Sequence, residues 1–417
     1  MASMFMLPQK LRRTVLYYCL LAHLRYRWHL VGAAGLILVS TLASHCVAPP
    51  EKEFLQRVDA ALAASWEFYR VHYILPDGRV RRSENRDDAI SEGQAYALLR
   101  AVWSDDQFTF NRVYSWTKNH LSQQPLKGSH LLAWHWGQSE GGQWRLIDIN
   151  SATDADLDYA LALILAERRW GRSTQPLPDY LTQAKLVLQD ILAKETCRDP
   201  WGRLWLTPGD WAACKQPLLL NPSYFSPAWY RVFFDLTQDP RWLELAESTA
   251  WGLEQISAHL GDQAGVGLVP DWCLLTENQR FAPAPGQSHL FGWDAIRVPW
   301  RVSLGVLWFH DIRGKKFLAR TFIPFCRHQW AATGKLSAIY DYTGRPAAEY
   351  DSPVLYASLV GAALAVGDRP LAQQAAEKIL GFYHQTPDGG YFNRPDDYYG
   401  NNWAWFGLAT YRGRVRP

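Results

Sequence analysis

The 417 residues carry 43 lysines and arginines against 40 aspartates and glutamates, a formal charge of +3, with 48% hydrophobic residues and an unusual load of 21 tryptophans and 20 tyrosines. A near-neutral balance with several cations gathered near the N-terminus excludes a basic face for nucleic acid, so a neutral substrate fits better. No Ser/Gly run, Pro-rich tract or charge block interrupts the chain after residue 50, which argues for one large catalytic domain over residues 50–417 rather than two or three average ones.

The first 49 residues read as a targeting segment. Lys10, Arg12, Arg13, Arg25 and Arg27 precede an apolar run from Leu30 to Ala43 that ends in small residues, a basic region followed by a stretch too short for a comfortable membrane span. Export to the periplasm or the exterior is the expectation. The length of the basic region and a second apolar stretch, Thr14 to Leu24, leave a cleaved signal peptide and an uncleaved signal anchor both open. Leu42 to Cys46 resembles a bacterial lipoprotein box, but His45 stands where such boxes need a small residue, which argues against lipidation of Cys46.

Helical periodicity then divides the chain into twelve segments: Glu53 to Tyr69, Glu92 to Trp103, Gln107 to Leu121, Asp154 to Trp170, Pro178 to Ala193, Ser223 to Leu236, Pro240 to Leu260, Asp294 to Asp311, Lys316 to Ala331, Pro353 to Val366, Pro370 to His384 and Asn401 to Tyr411. Short connections such as Ser104 to Asp106, Thr237 to Asp239 and Arg313 to Lys315 alternate with long ones. If consecutive helices run antiparallel, all long connections emerge at one end, and function is expected there. The predicted fold is therefore all-α, an (α/α)6 barrel of six helix pairs. The long connection Ser122 to Asn150 alternates like a small β-hairpin laid over the cleft, with Trp134, Trp136 and Trp144 as candidate sugar platforms. Trp205 and Trp293 are further candidates, and a Trp-rich helical core accounts for such residues as well. Cys197, Cys214, Cys273 and Cys326 form no CxxC pair and have no His partner, so neither a metal nor another cofactor is expected. Cys197 and Cys214 either bridge the loop between them or stay as buried thiols.

Three acids fall just after long connections, each at the first turn of the next helix: Glu92 in Ser91-Glu92-Gly93-Gln94-Ala95, Asp154 in Ala152-Thr153-Asp154-Ala155-Asp156, and Asp294 in Trp293-Asp294-Ala295-Ile296-Arg297. Tyr224 and Asn401 fall in equivalent places. A single acid at a helix start merely caps it and complements its dipole. Three in phase at one end point to a site. Hydrolysis of a glycosidic bond needs an acid to protonate the leaving oxygen and a second carboxylate to activate water or attack the sugar. Glu92, among small and apolar residues, suits the protonated role through desolvation, and Asp294, with Arg297 one turn on, suits the ionised one.

At these residues the sequence resembles glycoside hydrolase family 8, which includes endoglucanases of bacterial cellulose-synthesis clusters. SEGQAYALL matches the acid-bearing segment, ATDADLDYALALILAERRW the family signature, NPSYFSPAWY a subsite segment and WDAIRVPWR the base-bearing segment, across most of residues 55 to 412. The resemblance implies an (α/α)6 barrel and an inverting mechanism, with Glu92 as general acid, Asp294 as general base through a water, Asp154 bonded to the distorted sugar, Tyr224 holding the water and Arg297 orienting Asp294. The expected substrate is a β-1,4-glucan cut internally. Xylan, mixed-linkage glucan and chitosan are the alternatives, and a non-catalytic glucan-binding accessory of polysaccharide export is the alternative outside enzymology. A helical-barrel lyase or isomerase would need His, Tyr or Lys in the acid and base positions and fits poorly. The N-terminal segment leans toward a membrane tether and a cellulose-synthesis or export complex as partner. Asp271 competes with Asp294 for the base and Asp156 with Asp154, but Asp156, two positions into the helix, points elsewhere. Asp271, Asp156, Asp158 and Asp148 are read as groups that support the fold or its loops.

Overall fold

The computed structural model describes residues 49–173, 177–212 and 214–417, and its helices pair as hairpins because short turns join each apolar segment to an amphipathic successor. In chain order they are α1 (Pro49–His72), α2 (Ser91–Trp103), α3 (Gln107–His120), α4 (Thr153–Trp170), α5 (Tyr180–Lys194), α6 (Pro227–Thr237), α7 (Arg241–Ala258), α8 (Val298–Phe309), α9 (Ile312–Arg320), α10 (Phe322–Thr333), α11 (Pro353–Val366), α12 (Arg369–Leu380) and α13 (Tyr398–Tyr411). Helices α2, α4, α6, α8, α11 and α13 pack in that order as an inner ring. The ring closes where Tyr96 of α2 meets Trp403 and Phe406 of α13 edge-on, at 6.2 and 5.3 Å. Outside it, α3, α5, α7, α9 and α12 each back the helix they follow, and the Val58–His72 part of α1 backs α13, where the Leu62 carbonyl accepts from Trp405 Nε1 at 3.2 Å. This is the expected (α/α)6 barrel.

The inner helices α4, α11 and α13 are hemmed in on every side over most of their length, so they are not striped, whereas α6 keeps Arg231 and Asp235 exposed. All of Thr153–Ala166 in α4 and nearly all of α11 are buried. Close approach of α11 and α13 depends on Gly407, where a Cβ would stand 2.6 Å from that of Ala357. Starts are set locally: Asp106, Asp179, Ser352, Asp368 and Asp397 accept backbone N–H groups of the first turns of α3, α5, α11, α12 and α13.

Several predicted boundaries move. The segment Lys316 to Ala331 is two helices, broken at Thr321, because Pro324 cannot bond the carbonyl of Arg320 and its ring would collide with it. The turn before α9 is His310-Asp311 rather than Arg313 to Lys315. Tyr383 and His384, expected to end a helix, instead open the strand Tyr383–Thr386, which pairs with Gly389–Phe392. Tyr224 lies in a 3-10 turn, Pro222–Tyr224, ahead of α6, and Asp294 caps a 3-10 turn, Ala295–Arg297, that runs into α8. Helix α13 starts at Tyr398, which moves Asn401 one turn inside, where it is buried and accepts from the N–H of Phe392.

The expected hairpin is present: β2 (His135–Gln138) pairs antiparallel with β3 (Trp144–Asp148), and β1 (Ala89–Ile90) adds a third strand on β2. Cys197 and Cys214 form a disulfide, while Cys273 and Cys326 are buried thiols. The N-terminal segment, with its two apolar stretches and Cys46, lies outside the described residues. Among the described residues no helix is long and apolar enough to cross a membrane.

One buried ion pair ties three inner helices. Arg301 of α8 donates from both terminal nitrogens to Asp158 of α4 at 2.9 Å, and Trp229 of α6 donates to the same carboxylate at 2.7 Å. Both charged side chains are sealed, so Asp158→Ala, which strands the cation, should cost about 3–5 kcal/mol of stability in urea denaturation. A loss under about 1 kcal/mol would contradict this account.

Candidate active site

The strand β1 aims the chain into α2, and the main chain of Trp134 holds that junction. Its carbonyl accepts from Ser91 N at 3.0 Å and its N–H donates to Asn150 O at 2.8 Å, so one peptide segment links the start of α2 to the approach to α4. Glu92 and Asp154 are thereby presented on the first turns of adjacent inner helices. Asp294 comes from the loop before α8, which Asp271 organises. Asp271 Oδ1 accepts from the N–H groups of Gly292, Asp294 and Ala295 at 3.2, 3.0 and 2.8 Å, and its Oδ2 accepts from Ser288 Oγ at 2.6 Å. Gly292 is required there, since a Cβ would stand 2.4 Å from the Asp271 carboxylate. Asp271 is thus the clasp of the loop.

The three carboxyls converge on one cation. The Arg297 side chain is 1% exposed; its Nη1 donates to Glu92 Oε2 and Asp154 Oδ2, both at 2.8 Å, and its Nη2 donates to Asp294 Oδ1 at 2.5 Å and Ser223 Oγ at 2.7 Å. Asn221 Nδ2 holds the other oxygen of Asp294 at 3.1 Å. Tyr398 donates to Glu92 Oε1 at 2.9 Å, and Tyr96 to Oε2 at 3.3 Å. The sequence suggested apolar surroundings for Glu92; its setting is enclosed but charged. Burial is the largest influence and pushes its carboxyl up to about 7, with Asp154 and Asp294 adding to the rise and Arg297 and the Tyr398 hydroxyl opposing it. Burial raises Asp154 as well, against the pull of Arg297 and Arg301. Asp294 keeps a third of its side chain exposed, at 34%, so it faces the solvent that the other two mostly exclude. Such a constellation holds a proton near neutrality on one carboxyl and leaves a more exposed one on the other arm of the same guanidinium.

Tyr224 lies under that guanidinium, 5.5 Å from ring centroid to the cation, with its edge to Trp272. The tryptophans divide. Trp144 and Trp293 are exposed, the first with the Arg79 guanidinium 4.0 Å over its ring, the second edge-on to Tyr399 at 6.1 Å. Trp134 stacks on His135 at 4.7 Å. Trp136 turns outward, edge-on to Trp116 and His120 of α3, and serves to seat the hairpin. Trp205 corrects the sequence reading most clearly: it is 1% exposed, packed on Phe225, Trp251 and Phe281, with its N–H donated to Asp199 at 2.9 Å, so no sugar can reach it. Trp201 and Trp211 are the exposed tryptophans nearest to it in sequence, the second in the turn after Pro208, whose carbonyl accepts from Thr153 N at 3.2 Å. Sequence reasoning missed Trp211, Asn221, Ser223 and Tyr398. The Gly-Asp-Trp turn was the available signal for the first, and the segment NPSYF for the next two. Among the described residues no group of three His, Cys, Asp or Glu side chains is arranged to hold a metal.

A helical barrel with three carboxyls on one arginine at its long-loop end fits a carboxylate-dependent hydrolase. Residues 42–409 match the glycosyl hydrolases family 8, and the chain belongs to that family. It is 35% identical over 277 residues to Endoglucanase A of Acetivibrio thermocellus, covering 63% of this chain and 54% of that one. It is 34% identical over 242 residues to the probable endoglucanase of Novacetimonas hansenii, covering 57% and 66%. Among solved structures, the endo-beta-1,4-glucanase CMCax from Acetobacter xylinum superimposes with a TM-score of 0.64 at 26% identity, over 85% of this chain and 99% of that one. The chain spans about half the length of the first curated relatives it matches.

The Tyr398 hydroxyl favours the ionised form of Glu92, so its removal raises the Glu92 titration further. In Tyr398→Phe, carbon-13 titration of the glutamate carboxyls should show one resonance with its midpoint moved above that of the wild type. A midpoint that stays put or falls would mean the hydroxyl does not act on the anion.

Proposed function

We propose that the chain is an endo-acting glycoside hydrolase that cuts β-1,4-glucan with inversion. Glu92, protonated below about 7, gives its proton to the glycosidic oxygen, and the C1–O bond breaks as the leaving chain takes that proton. A water attacks C1 from the opposite face, and Asp294 takes the water's proton, so the new reducing end carries the opposite anomeric configuration. Asp154 bonds the sugar distorted at the point of cleavage, Tyr224 holds the water, and Arg297 fixes the spacing of all three carboxyls. The observation that carries this reading is the single guanidinium with Glu92 on one arm and the more exposed Asp294 on the other. The endoglucanase relatives support the choice of glucan and of internal cleavage. Trp144, Trp211 and Trp293 serve as platforms along the cleft.

Residues 1–49 act in this reading as signal peptide or anchor and place the domain of residues 50–417 outside the cytoplasm. The Cys197–Cys214 disulfide accords with an oxidising compartment. A tethered enzyme of this kind suits the trimming of a polymer during export as well as its degradation.

The test is reducing-end release from carboxymethyl-cellulose, xylan, mixed-linkage glucan and chitosan. Glu92→Gln and Asp294→Asn should each lower kcat on the glucan by about 10²–10⁴ fold, and wild-type rates should fall as pH rises past about 7, where the acid loses its proton. Proton NMR of the first product should show the α-anomer from a β-linked chain. A β-anomer would overturn inversion, and cleavage of another polymer alone would move the substrate. A folded protein that binds glucan and cuts none of the polymers would replace the enzyme with an accessory.

A further inference from the structure

A second pair of carboxyls lies behind Asp154, away from Arg297. Asp156 is fully buried; its Oδ1 accepts from Leu132 N at 2.8 Å, while its Oδ2 has no donor. Glu195, just past α5, is also fully buried; its Oε1 accepts from Ser151 Oγ at 2.6 Å, while its Oε2 has no donor. The two buried carboxyls are neighbours that act on each other's charge. Two carboxylates have no proton to share, and two like charges in a dry site repel strongly. A carboxylic acid that donates to a carboxylate satisfies both orphan oxygens and removes one charge.

We propose that Asp156 and Glu195 hold one proton between them and act as a positioning pair that clamps the start of α4, and with it Asp154, to the base of the hairpin. The clamp reaches every strand of chain around that helix start. Asp156 anchors Leu132, two residues before the Trp134 stitch. Glu195 anchors Ser151, whose Oγ accepts from Asp210 N at 2.9 Å, and its own carbonyl accepts from Thr207 N at 2.9 Å. The titratable and charged groups that face the pair are Asp210 and Tyr159. Asp210 adds negative charge from the 207–210 turn, and its Oδ2 engages Lys127 at 2.7 Å. Tyr159 lies one turn along α4, with its hydroxyl buried. The proposal goes beyond the acid and base assignments, and only its link to activity rests on the reading of Asp154 above.

Burial pushes Glu195 up to about 8 and Asp156 upward too. The folded chain therefore keeps a proton that the unfolded chain gives up above about pH 4. Stability conferred by that proton is full at low pH and is lost progressively as pH rises through the raised range of the pair, in which the contact favours the proton on Asp156. Glu195→Gln and Asp156→Asn supply the donor from an amide and need no proton. Calorimetric melting of wild type and both variants from about pH 5 to about pH 9 should show a difference in Tm that changes with pH. A difference that is the same at every pH overturns the shared proton.

Should both variants fail to fold, infrared spectra of a Glu92→Gln/Asp154→Asn protein decide the matter. A protonated-carboxyl band that persists at about pH 7 supports the pair, and its absence at about pH 7 overturns it. The ratio of variant to wild-type kcat on carboxymethyl-cellulose should rise between about pH 7 and about pH 9, because Glu92 is common to both and cancels. A ratio constant in pH overturns the coupling to Asp154. A wild type inactive on every glucan would sink the functional reading while the melting curves still judge the pair.

Discussion

Everything at the mouth of this barrel depends on whether three carboxyls can share one buried arginine. Carboxyls brought this close in a partly dry cleft would repel, and each would shed its charge, without a cation among them. A guanidinium answers that need better than an ammonium because its planar fork places its two terminal nitrogens at a fixed separation. Arg297 thereby acts as a gauge. The starts of α2 and α4 and the loop before α8 must all come within one side chain's reach, which constrains the inner ring more tightly than apolar packing alone does. Burial opposes the cation and wins at Glu92, so the carboxyl on one arm holds its proton near neutrality while Asp294 on the other arm stays wetted.

The same seam carries a second storey. Asp158 lies four residues after Asp154 on α4, and Arg301 four residues after Arg297 on α8, so one helical turn deeper the two helices repeat the acid–arginine contact. The upper contact is open to the cleft through Glu92 and Asp294. The lower is sealed and capped by Trp229 and Ser226. The same acid–arginine pairing therefore sits in a solvent-open cluster of three carboxyls in one layer and in a sealed fastener in the next.

That layering explains what the sequence disclosed and what it withheld. Helix pairing, the hairpin and the phase of Glu92, Asp154 and Asp294 were legible because they follow from local periodicity and from the alternation of long and short connections. The role of Arg297 was legible only toward Asp294, three residues away; its contacts to Glu92 and Asp154 span 205 and 143 positions, and no local pattern announces them. Tyr398 was hidden for a related reason, since placing the start of α13 at Asn401 put the wrong side chain at the first turn. Trp205 and Trp136 show the other weakness: ring content marks a residue as fit for sugar or for core, and only the packing of Phe225, Trp251 and Trp116 around them decides. The break at Thr321 was written in Pro324, but a surrounding helical period masked it.

The stitch at residue 134 is made from a peptide carbonyl and a peptide N–H, one reaching Ser91 and the other Asn150. Side-chain replacement leaves both atoms in place. Replacement of the Trp134 ring therefore leaves in place the frame that sets Glu92 beside Asp154. What the side chain of residue 134 presents and what its backbone holds together are mechanically uncoupled at a single amino acid.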